Sequence, residues 1–245
     1  MTKQGKKVAG VIIAYKAVAQ IEALYNNIPK DYFDILFISN DTAGDGTKEI
    51  ADRLGVPCFE HPRLNYGGNI KYGIQKAAEM GADYVVEIHG DNQYDTSFII
   101  PAVEEMEKNG HGLVFGSRFI PIIQPLKDKM PLPRYLANIG LSVIDRIVLG
   151  TRVSELHSGA RVYNVAAMKD IDLSRTANDY LFSFEIIAQM RHHKYTLGVV
   201  PVRCYYAYDH HSINYKQSTK YAFQTFGILF WYILAKFGVK SKLFH

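Results

Sequence analysis

The residues most able to do chemistry lie in E-I-H-G-D-N-Q-Y-D, residues 87 to 95, directly after the apolar run Tyr84-Val85-Val86. His89 and Asp91 are two apart at the end of a β-type segment, so they project to the same side and can share a cation. An imidazole, a carboxylate and the amide oxygen of Gln93 together suit Mn2+, or Mg2+ with more of its water retained. A second imidazole, His157 in S-E-L-H-S-G, either joins them or binds phosphate.

Other stretches carry anion or base chemistry. Asp41 and Asp45 sit in N-D-T-A-G-D-G-T, where a carboxylate either caps a helix or accepts hydrogen bonds from a nucleobase. Asn65-Tyr66-Gly67-Gly68-Asn69 offers glycines that permit close backbone approach and open a helix whose amides suit an anion. Arg118, Arg134 and Arg161 each adjoin a strand end or loop and suit phosphate groups through forked hydrogen bonds.

The elements that must position these groups alternate. Strand-like runs cover Val8 to Ala14, Ile35 to Ser39, Val56 to Phe59, Tyr84 to Ile88 and Leu113 to Phe115, with helical spacing near 17–28, 47–54, 68–80 and 96–108. That order predicts an α/β fold with a mainly parallel sheet flanked by helices and its functional loops at the carboxyl ends of the strands. Four polar clusters follow those ends: A-Y-K at 14–16, S-N-D-T-A-G-D-G-T at 39–47, H-G-D-N-Q at 89–93 and G-S-R at 116–118. Four such clusters on one sheet edge are better explained as a ligand crevice than as four solvated turns.

The second half is less regular. Residues 119–133 hold four prolines among bulky apolar residues and read as a mobile loop. A helix is expected from about Arg134 to Leu149, then a turn and short strand through S-E-L-H-S-G-A-R-V-Y, a helix over 182–192 and a strand over 196–206. The chain divides into residues 1–215 and a C-terminal helix, 216–245, whose F-G-I-L-F-W-Y-I-L-A is too short an apolar run to cross a bilayer. Such a helix either packs on the core or lies at a membrane interface, with Trp231 and Tyr232 at headgroup level and Lys236, Lys240 and Lys242 toward anionic lipid.

Composition narrows the classes. The 245 residues, 48% apolar and 21% charged, describe an ordinary globular chain rather than a multi-span membrane protein. A formal charge of +4 is too small to argue for nucleic acid. Cys58 and Cys204 lack ligand spacing and read as thiols of a reducing compartment. The basic start followed by V-A-G-V-I-I-A-Y resembles a secretory signal, but Lys16 interrupts it and helical spacing continues through Ile28; a cytoplasmic protein is expected.

Taken in order, A-Y, N-D-x-x-x-D-G-T, N-Y-G-G-N, G-D-N-Q-Y-D, G-S-R-F and S-G-A-R-V-Y resemble an inverting family 2 glycosyltransferase of GT-A fold, nearest to dolichyl- and polyprenyl-phosphate mannosyl- or glucosyltransferases. The resemblance covers roughly residues 8 to 215. It implies that Ala14, Tyr15 and Asp41 line a nucleotide pocket with Asn65 and Gly68 beside it. It further implies that Asp91, assisted by Gln93, holds Mg2+ or Mn2+ against the donor diphosphate. Arg118 and Arg134 would receive the phosphate of a lipid acceptor, and Ser158, Gly159 and Arg161 would lie on the acceptor side.

The chain departs from the family pattern at three places. Lys16 and Ala17 stand where an asparagine and a base-contacting glutamate are usual, His89 occupies the first acidic position of D-x-D, and His157 replaces a threonine or glutamine, as though it compensated for the missing carboxylate.

The resemblance implies transfer of a hexose from UDP- or GDP-hexose to a polyprenyl phosphate at the cytoplasmic face of a membrane. The alternative acceptor is a saccharide hydroxyl, which needs a base, Glu155 or Asp179. A nucleotidyltransferase would carry a glycine-rich basic loop after the first strand, where this chain has A-Y-K-A-V-A. A non-catalytic nucleotide-sugar binding module would bind donor without turnover.

Overall fold

The structure, a computed structural model, describes residues 2–206 and 215–244. Strands β1 (Val8–Ala14), β2 (Ile35–Asn40), β3 (Cys58–Glu60), β4 (Tyr84–His89), β5 (Leu113–Ser117), β6 (Arg161–Asn164) and β7 (Leu197–Pro201) form one sheet in the order β3-β2-β1-β4-β6-β5-β7. The pairings are parallel except those of β6, which runs antiparallel to both β4 and β5. The α-helices are α1 (Ile21–Asn27), α2 (Thr47–Leu54), α3 (Asn65–Glu79), α4 (Ile99–Asn109), α5 (Gln124–Lys127), α6 (Leu132–Leu149), α7 (Val165–Met168), α8 (Phe182–His192) and α9 (Tyr215–Lys236), and short 3-10 turns cover Lys30–Tyr32, Thr96–Phe98 and Leu173–Arg175.

Two cores flank the sheet because successive strand residues face opposite sides. Ala9 and Val11 of β1 join a core built with α3, α8 and α9, whereas Val8, Ile12 and Ala14 join one built with α1 and α4. The register places Ala14 opposite Asn40 and Ile13 opposite His89, so the polar loops after β1, β2 and β4 begin at one edge. The reversed β6 matters equally: its first residue, Arg161, pairs with Glu87 and Phe115 near that same edge, which delivers residues 152–160 to the ends of β4 and β5.

The loop expected to be mobile, 119–133, contains α5 and is tied down by an ion pair from Asp128, a buried carboxylate, to Arg203 beyond β7. Helix α6 is inside out. Its buried positions include Ser142 and Asp145, while Leu132, Leu136, Val143, Ile144 and Ile147 (76% exposed) form an outward apolar stripe at helical spacing. Helix α9 packs into the core through Ile228, Leu229 and Tyr232 and exposes Phe223, Phe230 and Trp231, with Phe237 exposed just past its end. Tyr232, expected at headgroup level, is instead buried against Phe244, at 5.9 Å between ring centroids.

Candidate active site

At the β1–β2 end of the edge, the Asp41 amide donates to the Ala14 carbonyl at 2.9 Å, so Asp41 directly extends the ladder. Its buried carboxylate accepts from the Leu64 amide at 2.5 Å and lies 3.5 Å from His61 Nδ1. Nε2 of His61 is 3.2 Å from both Ser39 Oγ and Asn69 Oδ1, and Asn69 Nδ2 donates to the Ala14 carbonyl at 3.1 Å. A polar network of His61, Ser39, Asn69 and the Leu64 amide therefore orients Asp41. Beside it the Arg63 guanidinium lies 4.1 Å over the Tyr15 ring and donates to its hydroxyl, which holds the phenol below its ordinary pKa. Arg63 also donates from Nε to Asn65 Oδ1 at 3.2 Å.

Three non-glycine residues take positive φ at this edge: Lys16 (51°), Asn65 (63°) and Asn92 (56°). Such conformations are uncommon and concentrate where side chains are held for a purpose other than stability.

The glycines that open α3 do not offer their amides to an anion as expected. Gly67 and Gly68 donate instead to the Asn178 carbonyl, at 2.8 and 3.2 Å. A Cβ on Gly67 would stand 2.5 Å from Phe182 Cβ and 2.7 Å from the Asp179 carbonyl. These glycines admit the segment before α8, and Gly68 acts on the crevice only through that segment.

At the end of β4, Glu87 is buried within the sheet and accepts from Tyr163 (2.6 Å) and Tyr66 (2.9 Å). His89, on the same face, directs Nε2 to Glu87 Oε1 at 3.0 Å and to the Gly159 carbonyl at 3.1 Å. Burial opposes both charges, yet the pair's hydrogen bond and mutual attraction lower the Glu87 pKa and raise that of His89. Asp91 lies just past the strand, where its Oδ1 accepts the Gln93 amide at 3.1 Å. It is thus the backbone of Gln93, rather than its side-chain oxygen, that reaches Asp91.

The four expected metal ligands are not gathered. His157 donates or accepts at both nitrogens, with Nε2 2.7 Å from Asp145 and Nδ1 3.2 Å from the Tyr221 hydroxyl, and it stacks on Phe184. It ties α6 to α9 and has no lone pair left for a metal. Among the described residues no three of His, Cys, Asp and Glu come together as a ligand cage. Asp91, half-buried at the strand end, would be the carboxylate to hold a divalent cation there.

The expected acceptor residues also require correction. Arg118 donates from Nε to Glu155 Oε1 at 2.7 Å and from Nη1 to the Tyr206 hydroxyl at 2.9 Å, while its amide meets Glu155 Oε2 at 2.7 Å. Glu155 is 0% exposed, so it needs that counter-charge and is not a solvent-facing base; Arg118 is correspondingly unavailable as a bare phosphate receptor. Arg161 is buried, bonded to the Ser158 carbonyl (2.8 Å) and the Ser183 carbonyl (2.9 Å). With Ser158, whose Oγ accepts the Ala160 amide at 3.2 Å, it shapes the turn into β6 rather than an acceptor pocket. Arg134 lies in the first turn of α6, half-buried.

Sequence reasoning passed over Arg63 and Tyr180. Arg63 lies in a plain H-P-R-L-N run, and Tyr180 precedes α8 with no motif to mark it; the aromatic and cationic types at a loop were the only signals. Arg63 packs over Tyr15 at the end of β1, and Tyr180 stacks on Tyr66, the residue after Asn65.

Comparison with known proteins agrees with this geometry. The chain is 27% identical to the UDP-N-acetylglucosamine--dolichyl-phosphate N-acetylglucosaminyltransferase of Methanococcus voltae, over 80% of this chain and 84% of that one. It is 26% identical to an uncharacterized protein of Methanocaldococcus jannaschii, over 80% of each. Its fold is that of glucosyl-3-phosphoglycerate synthase from Mycobacterium tuberculosis, solved with Mn2+, UDP-glucose and phosphoglyceric acid, at a TM-score of 0.68 and 15% identity over 98% of this chain and 82% of that one. The sheet is therefore of the GT-A kind. The profile of Glycosyl transferase family 2 matches residues 11–172, which span β1 through α7 and every strand-end loop built above except the one after β7. The chain is a glycosyltransferase and belongs to family 2.

Proposed function

We propose that the enzyme transfers a hexose from a nucleoside diphosphate to a polyprenyl phosphate, with inversion at the anomeric carbon. The observation that carries the lipid acceptor is the inside-out α6, whose apolar stripe leads away from a first turn that contains Arg134. An isoprenoid chain suits that stripe, and its phosphate suits Arg134 and the positive end of the helix. The dolichyl-phosphate acceptor in the name of the M. voltae relative supports the same reading.

Asp41, fixed by His61 and the Leu64 amide, presents its carboxylate to the nucleobase. Arg63, in electrostatic reach of both Asp41 and Tyr180, neutralises diphosphate charge. Asp91 holds the divalent cation, Mn2+ or Mg2+, which when bound stabilises the charge left on the diphosphate. The acceptor oxygen attacks the anomeric carbon as the bond to the diphosphate breaks. Because a phosphate monoester is already anionic near neutral pH, no protein base is needed. Names among the relatives and structural neighbours favour UDP over GDP.

Docking in this reading is peripheral and at the cytoplasmic face. Among the described residues no helix is long and apolar enough to cross a membrane. The exposed faces of α6 and α9, with Trp231 and Lys236, Lys240 and Lys242, lie against the bilayer. Purified enzyme with Mn2+ or Mg2+ should move labelled hexose onto a short-chain polyprenyl phosphate. Transfer to soluble glycans alone would overturn the lipid acceptor.

A hydroxyl acceptor is the second reading, and one observation favours it. Asp179, at the mouth of the crevice, is an exposed carboxylate on a loop held against α3.

A further inference from the structure

Tyr180 is an aromatic side chain left 39% exposed, yet its ring and the backbone before it are both tied down. One face of its ring stacks on Tyr66, with centroids 4.8 Å apart and planes at 27°. Tyr66 is itself anchored, its hydroxyl donating to the buried Glu87 at 2.9 Å. The backbone is fixed as well: the Asn178 carbonyl accepts from Gly67 and Gly68, and the Ala177 amide donates to Glu185 at 2.6 Å. Rigid, partly exposed aromatic surface of this kind costs little entropy to present.

We propose that Tyr180 is the platform on which the pyranose ring of the donor packs its C–H face. Tyr66, on which Tyr180 stacks, follows Asn65, whose side chain accepts from Arg63 Nε at 3.2 Å, and the Tyr66 ring lies 5.9 Å from that of His89, two residues before Asp91. A sugar joined to a diphosphate held by Arg63 and Asp91 would reach the exposed side of the Tyr180 ring. The inference rests on the nucleotide-sugar reading above and adds to it the subsite that recognises the sugar.

The test compares a sugar nucleotide with its sugar-free nucleotide by titration calorimetry: UDP-N-acetylglucosamine against UDP, and GDP-mannose against GDP, on wild type, Tyr180→Leu and Tyr180→Phe. Loss of one stacking contact should weaken the sugar nucleotide roughly five- to tenfold in Tyr180→Leu. UDP or GDP alone should stay within about twofold, and Tyr180→Phe should match wild type. Equal binding of the sugar nucleotide by Tyr180→Leu and wild type overturns the platform while the functional reading stands. Equal weakening of both ligands also overturns it, since the ring would then merely support the loop. Failure of wild type to bind any of the four ligands overturns the nucleotide-sugar reading, and the platform with it.

Discussion

Arg118 and Glu155 are locked to each other at the end of β5: one carboxylate oxygen takes the guanidinium Nε at 2.7 Å and the other takes the same residue's amide at 2.7 Å. Glu155→Gln should leave a buried guanidinium without its counter-charge and cost about 3–5 kcal/mol in urea unfolding. Measured per folded molecule, transfer should fall by less than the ~100-fold that loss of a general base costs. A loss beyond that, with stability intact, would restore Glu155 as the base.

Asp179→Asn separates the two acceptor classes. With a polyprenyl phosphate the initial rate should change less than about threefold, whereas a hydroxyl acceptor should lose ~100-fold or more. Single-substrate kinetics with each acceptor decide between them.

Glu185 receives the Ala177 amide from within the core. Burial, the largest influence, raises its pKa above the ordinary value of 4.5. A carboxyl that is harder to ionise when folded lowers stability as pH climbs through the raised value, and has no such effect below the unfolded one. Glu185→Gln should accordingly raise the urea midpoint relative to wild type at pH 7, with the difference shrinking as the pH approaches 4.5 from above.

Gly159→Ala places a Cβ 2.4 Å from His89 Nε2, in the bond that His89 makes to Glu87 and the Gly159 carbonyl. A destabilisation of roughly 1–3 kcal/mol is expected from such overpacking. Thermal unfolding of Gly159→Ala equal to wild type would show that His89 has room to move.

Ile147→Glu places a charge on the outward stripe of α6, where Ile147 is among the most exposed apolar residues. Flotation with anionic vesicles should drop for this variant, and wild-type flotation should fall as salt is raised. Undiminished flotation of Ile147→Glu would remove α6 from the membrane face.

Local signals were legible wherever they coincide with tertiary packing. Val8–Ala14 and Thr47–Leu54 were read to the residue, the first from an unbroken apolar run and the second from a G-T start and G stop. The reversal of β6 was not legible, because pairing across the chain decides it and no local pattern records strand direction. Spacing found α6 but not its orientation: apolar residues are read as inward by default, and here Asp145 and Ser142 face in because His157 and α9 lie beneath them. Asp41 and Asp91 were identifiable as strand-end carboxylates. The ties of Arg118, Arg161 and His157 were not, because partners as far as 88, 22 and 64 residues away supply them.

The acids of residues 119–150, Asp128 and Asp145, are both buried, and residues 215–245 contain none, so these two segments carry a formal +7. In a protein of +4 overall, the remainder is −3. The molecule is thus electrically lopsided along the axis that runs from crevice to apolar helices. An anionic surface would exert a torque as well as a pull, turning the α6–α9 side toward itself before any side chain touches lipid.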